Sequence, residues 1–358
     1  MNGALLNGKQ ATMFDGSHYY VPAEMLAKWG LDVQADATAR SLRLKPDPAR
    51  SIAVNYAPVY YRDSVIVLMY HNLTEKPGNA NELPVSQFRA HMEALDKRGF
   101  QVIDMKQYAD FVSGKGKVPA NAVLITFDDG YESFYKLAYP VLRKYDFPAT
   151  NFIIIKTLDE PSGFGVPKLT WDQVREMHAN GISFYNHTFN SHRYGAVDAK
   201  GNTRPMLTSR LYVKDAKRVE TEAEYKARVL NDLQTAERRL KEELGNEIGV
   251  LAFPYGAYND TVLALARQAG IDVTFTIKPG MNAGGQKNGF RVNAGGLDNQ
   301  GDPMIVGMQR ALQKAPASKV AVRFNGQPVV FQNSQPFISG GRIWVPLREA
   351  ARMFGYSV

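Results

Sequence analysis

Between residues 64 and 293, short apolar runs alternate with stretches whose apolar positions recur at helical spacing. Val65 to Tyr70 and Val123 to Ile125 are continuous apolar runs with β-branched residues, as buried strands require. Further strand-like runs occupy 101–104, 148–155, 182–185, 251–253 and 271–277. From Ser86, read as an N-cap, to Arg98, the side chains of Phe88, Met92 and Leu95 share one helical face. Residues 131–145 and 220–244 also read as helices, as does 171–179 between a Thr170 cap and an Asn180-Gly181 stop. Asp260 is read as the cap of a helix that ends at Gly270. The alternating Glu and Lys/Arg of 220–244 suggest a solvated face. Residues 193–217 are polar and irregular, an insertion that could contact substrate. Strand–helix alternation of this kind predicts a parallel α/β barrel or sheet.

The chain ends follow a different pattern, and follow it twice. Asn7-Gly8 predicts a hairpin turn and Asp15-Gly16 another; Tyr19-Tyr20-Val21-Pro22 then leads into a short helix with Gly30 past its end. Asn325-Gly326, Ile343-Trp344-Val345-Pro346, a helix from Leu347 and Gly355 repeat that order. The expected domains are therefore 1–46, a Pro-containing linker 47–63, a main domain 64–300, and a second small copy 318–358. This second copy stops where the first still has strands; either it is incomplete or it borrows strands from elsewhere.

Composition narrows the class. Hydrophobic residues make up 44% and charged residues 22% of 358, ordinary for a water-soluble globular protein large enough for one sizeable core. No apolar run has transmembrane length, and residues 1–6 show no signal-peptide pattern. With no cysteine, disulfides and thiolate metal sites are excluded. The net charge of +8 suits anionic polymers, cell-wall polymers among them; no nucleic-acid motif accompanies it.

Chemistry concentrates at strand ends. The run 122–127 finishes in Asp128-Asp129-Gly130. Adjacent carboxylates in one cleft raise a pKa unless a cation intervenes; a plain Asp-Gly turn is the alternative. Two of the six histidines, His187 and His192, follow another apolar run, either as surface-loop residues or as ligands. Two imidazoles and one carboxylate make a divalent-metal site with open positions, leaving the second Asp to act as base. Leu251-Ala-Phe-Pro-Tyr-Gly256 is a third strand end, where a backbone N–H after the Pro can face an oxyanion. His71 ends the first strand of the main domain.

In this order, Thr126-Phe-Asp-Asp-Gly130, His187-Thr188 with His192, and Pro254-Tyr255 resemble the polysaccharide deacetylases of carbohydrate esterase family 4, the NodB-homology group. The resemblance spans roughly residues 64–295 and implies a distorted (β/α) barrel. It implies Asp128 as base and Asp129, His187 and His192 as metal ligands. It gives the Tyr255 N–H to the oxyanion and His71, beside Tyr70, the role of general acid, as in the poly-N-acetylglucosamine deacetylase branch. The family's late Leu-x-x-His motif is absent, because His192 is the last histidine; the five-residue His–His spacing points to the same branch. Where the third motif often begins with an Arg that orients the catalytic Asp, this chain has Ala252, and Arg291 is the expected substitute. Tyr70, Phe253, Pro254 and Arg291 are the expected substrate-binding residues.

What the resemblance implies is metal-dependent removal of N-acetyl groups from an extracellular or cell-wall N-acetylglucosamine polymer. The expected ion is Zn2+, with Co2+, Ni2+ or Fe2+ also suited to the donor set. An inactive wall-binding protein and a hydrolase of small amides are the alternatives. Both end segments resemble the small copper amine oxidase N-terminal-like domain, giving α+β accessory domains at both ends. They hold no copper-ligand cluster, His18 being their only histidine.

Overall fold

The computed structural model describes residues 13–14, 19–46, 61–76, 82–161 and 165–295, and within 320–353 all but 325, 330, 332–334 and 340. The predicted turns at Asn7-Gly8 and Asp15-Gly16, His18, residues 47–60 of the linker, Asn325 and Gly355 lie outside the described residues.

The main domain is one wrapped, mostly parallel sheet. Its principal strands are β1 (Ser64–Tyr70), β2 (Ala122–Asp128), β3 (Ala149–Ile153), β4 (Ile182–Asn186), β5 (Gly249–Ala252), β6 (Ile271–Phe275), β7 (Asn288–Gly289) and β8 (Val292–Asn293), joined by two short additions, Gln101–Val102 parallel to β2 and Asn282–Ala283 antiparallel to β1. They pair in parallel from β1 through β7, and β8 pairs in parallel with the free edge of β1. Only Phe290 and Arg291 separate β7 from β8, so the sheet curls into a nearly closed barrel. Among the described residues no helix is long and apolar enough to cross a membrane.

Alternation along each strand sorts side chains into two layers. Val65, Val67, Leu124, Phe152, Tyr185, Val250, Val273 and Phe275 form one cluster drawn from six strands, the barrel interior. Ile66, Leu68, Tyr70, Val123, Ile125 and Phe127 point the other way and join a second cluster with the helices α1 (Val85–Lys97), α3 (Tyr139–Tyr145) and α4 (Trp171–Ala179), α2 (Met105–Val112) being packed with the inner cluster. The inward parity of 65-67-69 and 122-124-126 continues to His71 and Asp128. The period of the strand thus delivers both to the C-terminal mouth of the barrel, where parallel α/β sheets hold their chemistry.

Several local readings need correction. Pro84, not Ser86, occupies the N-cap of α1, and it makes no side-chain cap. Asn259, not Asp260, caps α6 (Asp260–Gln268), accepting a hydrogen bond from the Val262 N–H at 2.8 Å. Asp104 ends no strand; it caps α2 with Gln107 in a capping box. The main domain also begins before residue 64. Tyr61 is buried in its core and donates its hydroxyl to the Ala122 carbonyl at 2.8 Å, so the last linker residues belong to the barrel.

At the chain ends, the two repeated segments pool their strands. One four-stranded sheet orders Met13–Phe14, Tyr19–Pro22, Arg342–Pro346 and Phe337–Ser339; a second orders Gln327–Val329, Ala321–Phe324, Ser41–Pro46 and Leu31–Asp36. Both surround one core that includes Val21, Leu26, Leu44, Phe324, Ile343 and Val345. Of the two alternatives left open, an incomplete copy or borrowed strands, the pairing supports the second: Ala321–Phe324 pairs in parallel with Ser41–Pro46 from the opposite end of the chain.

Barrel closure leaves no room beside Gly249: a Cβ there would lie 2.3 Å from the Gly270 carbonyl oxygen, which is backbone and cannot rotate away. Gly249→Ala is expected to cost about 1–3 kcal/mol, the range for overpacking, read from urea unfolding.

Candidate active site

Asp128 is buried at the mouth of the barrel, and its charge is met by an equally buried guanidinium. Arg291 donates from Nη1 and Nη2 to its two oxygens at 2.7 and 2.8 Å, and from Nε to the Thr276 carbonyl at 2.9 Å. Burial pushes the carboxyl up, but Arg291, His187 and His71 pull it down further, and the net shift is below the ordinary value. Asp128 is thus a carboxylate at neutral pH, held in one orientation by a two-pronged pair. Nε2 of His71, a partly exposed ring, lies 3.9 Å from the second Asp128 oxygen.

Asp129 turns the other way, with φ of +74° and Gly130 following at +64°. Its Oδ1 is buried without a hydrogen-bond partner and sits 3.4 Å from His187 Nε2 and 3.1 Å from His192 Nε2. His187 Nδ1 lies 2.8 Å from the Ala252 carbonyl oxygen, a bond that requires the proton on Nδ1 and leaves the Nε2 lone pair facing Asp129. Lone pairs aimed at one another are reconciled by a cation. The three donor atoms lie within 4.8 Å of one another, so Asp129, His187 and His192 fit a divalent ion. Burial raises the Asp129 carboxyl, while positive charge on the facing imidazoles, when they are protonated, brings it well below the carboxylate range; burial and the neighbouring His187 push His192 down to about 4.

Two more positive-φ residues complete the rim. Thr188 has φ of +74° and Tyr255 has φ of 58°. For a β-branched and a bulky residue this is strained backbone, held by its surroundings. The Tyr255 ring packs on His192 with centroids 4.6 Å apart.

Residues 115–274 match the family model described as Polysaccharide deacetylase. The chain carries a polysaccharide deacetylase domain. It is 29% identical over 229 residues to a poly-β-1,6-N-acetyl-D-glucosamine N-deacetylase of Escherichia coli, covering 60% of this chain and 34% of that protein. It is 26% identical over 244 residues to the protein of the same name from Staphylococcus aureus, covering 68% and 77%. The solved structure of a de-N-acetylase from Aggregatibacter actinomycetemcomitans superimposes with a TM-score of 0.59 at 28% identity, over 64% of this chain and 94% of that one. The chain therefore spans about a third of the length of the E. coli relative.

The deacetylase domain holds its histidine loop from behind. Asp232, on α5 (Glu222–Leu244), accepts hydrogen bonds from the Phe189 and Asn190 N–H groups at 3.0 and 2.9 Å. Asn186 accepts from the Thr188 N–H at 2.6 Å and donates to Glu237 of α5 at 2.8 Å. Lys168 donates to the Asp129 carbonyl at 3.0 Å and lies 3.6 Å from the centroid of the Tyr131 ring; burial lowers its pKa to about 8. None of these residues was anticipated. Reading α5 as a solvated face overlooked that Asp232 and Glu237 border its buried stripe of Val229, Leu233, Ala236 and Leu240. That adjacency was the signal available in the sequence.

The expected substrate-binding set is corrected. Tyr70 is fully buried, its hydroxyl 3.1 Å from Nδ1 of a buried His91. Phe253 is fully buried and stacks on Tyr258, and Pro254 is buried. Arg291 is sealed behind Asp128. The alternation that sends His71 inward sends Tyr70 to the outer layer.

Burial raises the Glu237 carboxyl from 4.5 to about 7. Between those values the folded chain keeps a proton that the unfolded chain has released, so Glu237 lowers stability as pH rises through this window. Glu237→Gln keeps the acceptor for Asn186 and removes the titration. Relative to the parent it should gain about 2 kcal/mol between pH 4.5 and 7.5, measured by denaturant unfolding at both pH values.

Proposed function

We propose that this chain is a metal-dependent N-deacetylase acting on an N-acetylglucosamine polymer. The observation that carries the proposal is the convergence of Asp129, His187 and His192 beside an Arg-paired Asp128 and a partly exposed His71. An amide is a poor electrophile, and a divalent ion held by the three donors supplies Lewis acidity and a water of lowered pKa. The carboxylate of Asp128 takes the proton from the attacking water, and Arg291 fixes the direction in which it accepts. The Tyr255 N–H, carried on a strained turn, donates to the oxygen on which negative charge develops. His71, close enough to Asp128 to act on the same centre, gives its proton to the departing sugar amine.

Zinc is the ion best suited to two imidazoles and one carboxylate. The names of the E. coli and S. aureus relatives support a β-1,6-linked polymer as substrate. Such a substrate supports a location in the extracellular space or the wall, where a net charge of +8 would favour contact with anionic polymers. The unit assembled from both chain ends is proposed as an accessory module of that setting.

Acetate release from β-1,6-linked N-acetylglucosamine oligomers should disappear after chelation and return with Zn2+; persistence in chelator would refute the metal-dependent reading. Asp128→Asn is expected to lower kcat by about 10²–10⁴-fold while the protein still binds one equivalent of Zn2+. Arg291→Met leaves Asp128 charged and unpaired, and should destabilise the fold by about 3–5 kcal/mol as well as abolish turnover.

A further inference from the structure

With Tyr70, Phe253 and Pro254 buried, the contacts to a polymer must come from elsewhere on the mouth of the barrel. Among the described residues the exposed large hydrophobic side chains are Tyr19, Val166, Tyr194, Tyr255 and Ile277. Two of these five are in contact, and a third lies against the residue that follows one of them. Tyr194 meets Tyr255 with centroids 4.9 Å apart and planes at 60°. Ile277 packs on the next residue, Gly256, so closely that a Cβ there would come within 2.4 Å of it. The strip starts at His192, against whose ring Tyr255 packs. Isolated exposed aromatics need no explanation, but a contiguous strip leading away from a candidate metal ligand does.

Tyr194 is also held in place. It opens the hairpin Tyr194–Ala196/Thr203–Pro205 within the stretch that the sequence left as an irregular insertion. Behind it, a Cβ on Gly195 would lie 2.7 Å from Leu211 and 2.9 Å from Met206, so the hairpin is pressed onto its own support. Glu220 accepts from the Leu211 N–H at 2.9 Å and from Arg228 of α5 at 2.7 Å, and Arg228 donates to the Met206 carbonyl at 3.2 Å. The insertion is therefore a braced wall, and a ring carried on a braced hairpin has less to lose in order on binding than one on a free loop.

We infer that Tyr194 is a carbohydrate-stacking platform that takes the pyranose ring next to the one being deacetylated. The inference rests on the deacetylase reading above and adds a subsite to it. The face of an aromatic ring is electronegative and suits the C–H edges of an uncharged sugar. At 60° to each other the two tyrosines cannot lie flat on one ring. Tyr255, against His192, faces the reacting residue, and Tyr194, one ring further out, faces its neighbour. A platform of this kind matters for oligomers and not for a single sugar.

The test compares acetate release from β-1,6-linked N-acetylglucosamine monomer and pentamer by the Zn2+-loaded chain, with titration of the pentamer onto Asp128→Asn as a separate binding measurement. Tyr194→Ala should reduce the pentamer-to-monomer ratio of kcat/KM about tenfold, equivalent to a single stacking contact, and Tyr194→Trp should restore it. In the binding arm Tyr194→Ala, placed in the Asp128→Asn background, should weaken the pentamer by a similar factor. An unchanged ratio with unchanged affinity overturns the platform while leaving the deacetylase reading intact. If the parent binds pentamer but releases no acetate, the deacetylase reading falls, and the binding arm alone decides the platform. Failure of Asp128→Asn to bind pentamer at all also overturns it.

Discussion

Two carboxylates at the end of one buried strand cannot both stay charged in a low-dielectric cleft unless each has its own cation. The fold meets this constraint asymmetrically. Asp128 receives Arg291, whose backbone lies in the two-residue link that closes the barrel. Asp129 receives two imidazoles whose lone pairs call for a metal ion. The same constraint separates their roles: a carboxylate occupied by a guanidinium can still accept a proton, and one facing two imidazole lone pairs is free to bind metal. Barrel closure and charge neutralisation are therefore one event, because the residues between β7 and β8 supply the counter-ion.

The groups that touch the reacting centre are few, and those that hold them are many. Asp232, Asn186 and Glu237 shape the loop that carries both histidines, Lys168 braces the backbone of Asp129, and Glu220 with Arg228 fixes the hairpin that carries Tyr194. Helix α5 contributes to both of the latter arrangements, loop and hairpin, from a face bordering its apolar stripe. Buried polar groups of this kind are stabilising only when fully partnered, so the loop has little freedom to adopt another shape. Strain at Asp129, Thr188 and Tyr255 can persist because these neighbours over-determine it.

The chain ends show a similar division between local pattern and final structure. Each segment encodes a strand, a helix and turns that are recognisable by themselves. Their edges are satisfied only by each other, through the parallel pairing of Ala321–Phe324 with Ser41–Pro46 and the antiparallel pairing of Tyr19–Pro22 with Arg342–Pro346. A strand edge carries unpaired N–H and C=O groups but no label of its partner, so sequence could announce the need and not the source.

The order of strands and helices, and the strand-end placement of Asp128, Asp129, His71 and the His187–His192 pair, were legible because each depends on short-range periodicity or on a compact motif; Arg291 as the partner of Asp128 was expected only through the resemblance to carbohydrate esterase family 4. Motif adjacency does not fix which way Tyr70 and Phe253 face: strand alternation sends Tyr70 to the layer opposite His71, and Phe253 packs on Tyr258 beyond the end of its strand. Asp232, Glu237, Lys168 and Tyr194 were not legible as site residues. A carboxylate on a charged helix or a tyrosine in a polar loop has no distinctive spacing, and its role arises from contacts between segments 40 or so residues apart. By itself the sequence determined which residues could bear the chemistry, since residue type and strand period are local properties. Tertiary structure alone decided which of them meet, which are sealed away and which stay exposed, since burial and partnership belong to the closed barrel and not to any stretch of chain.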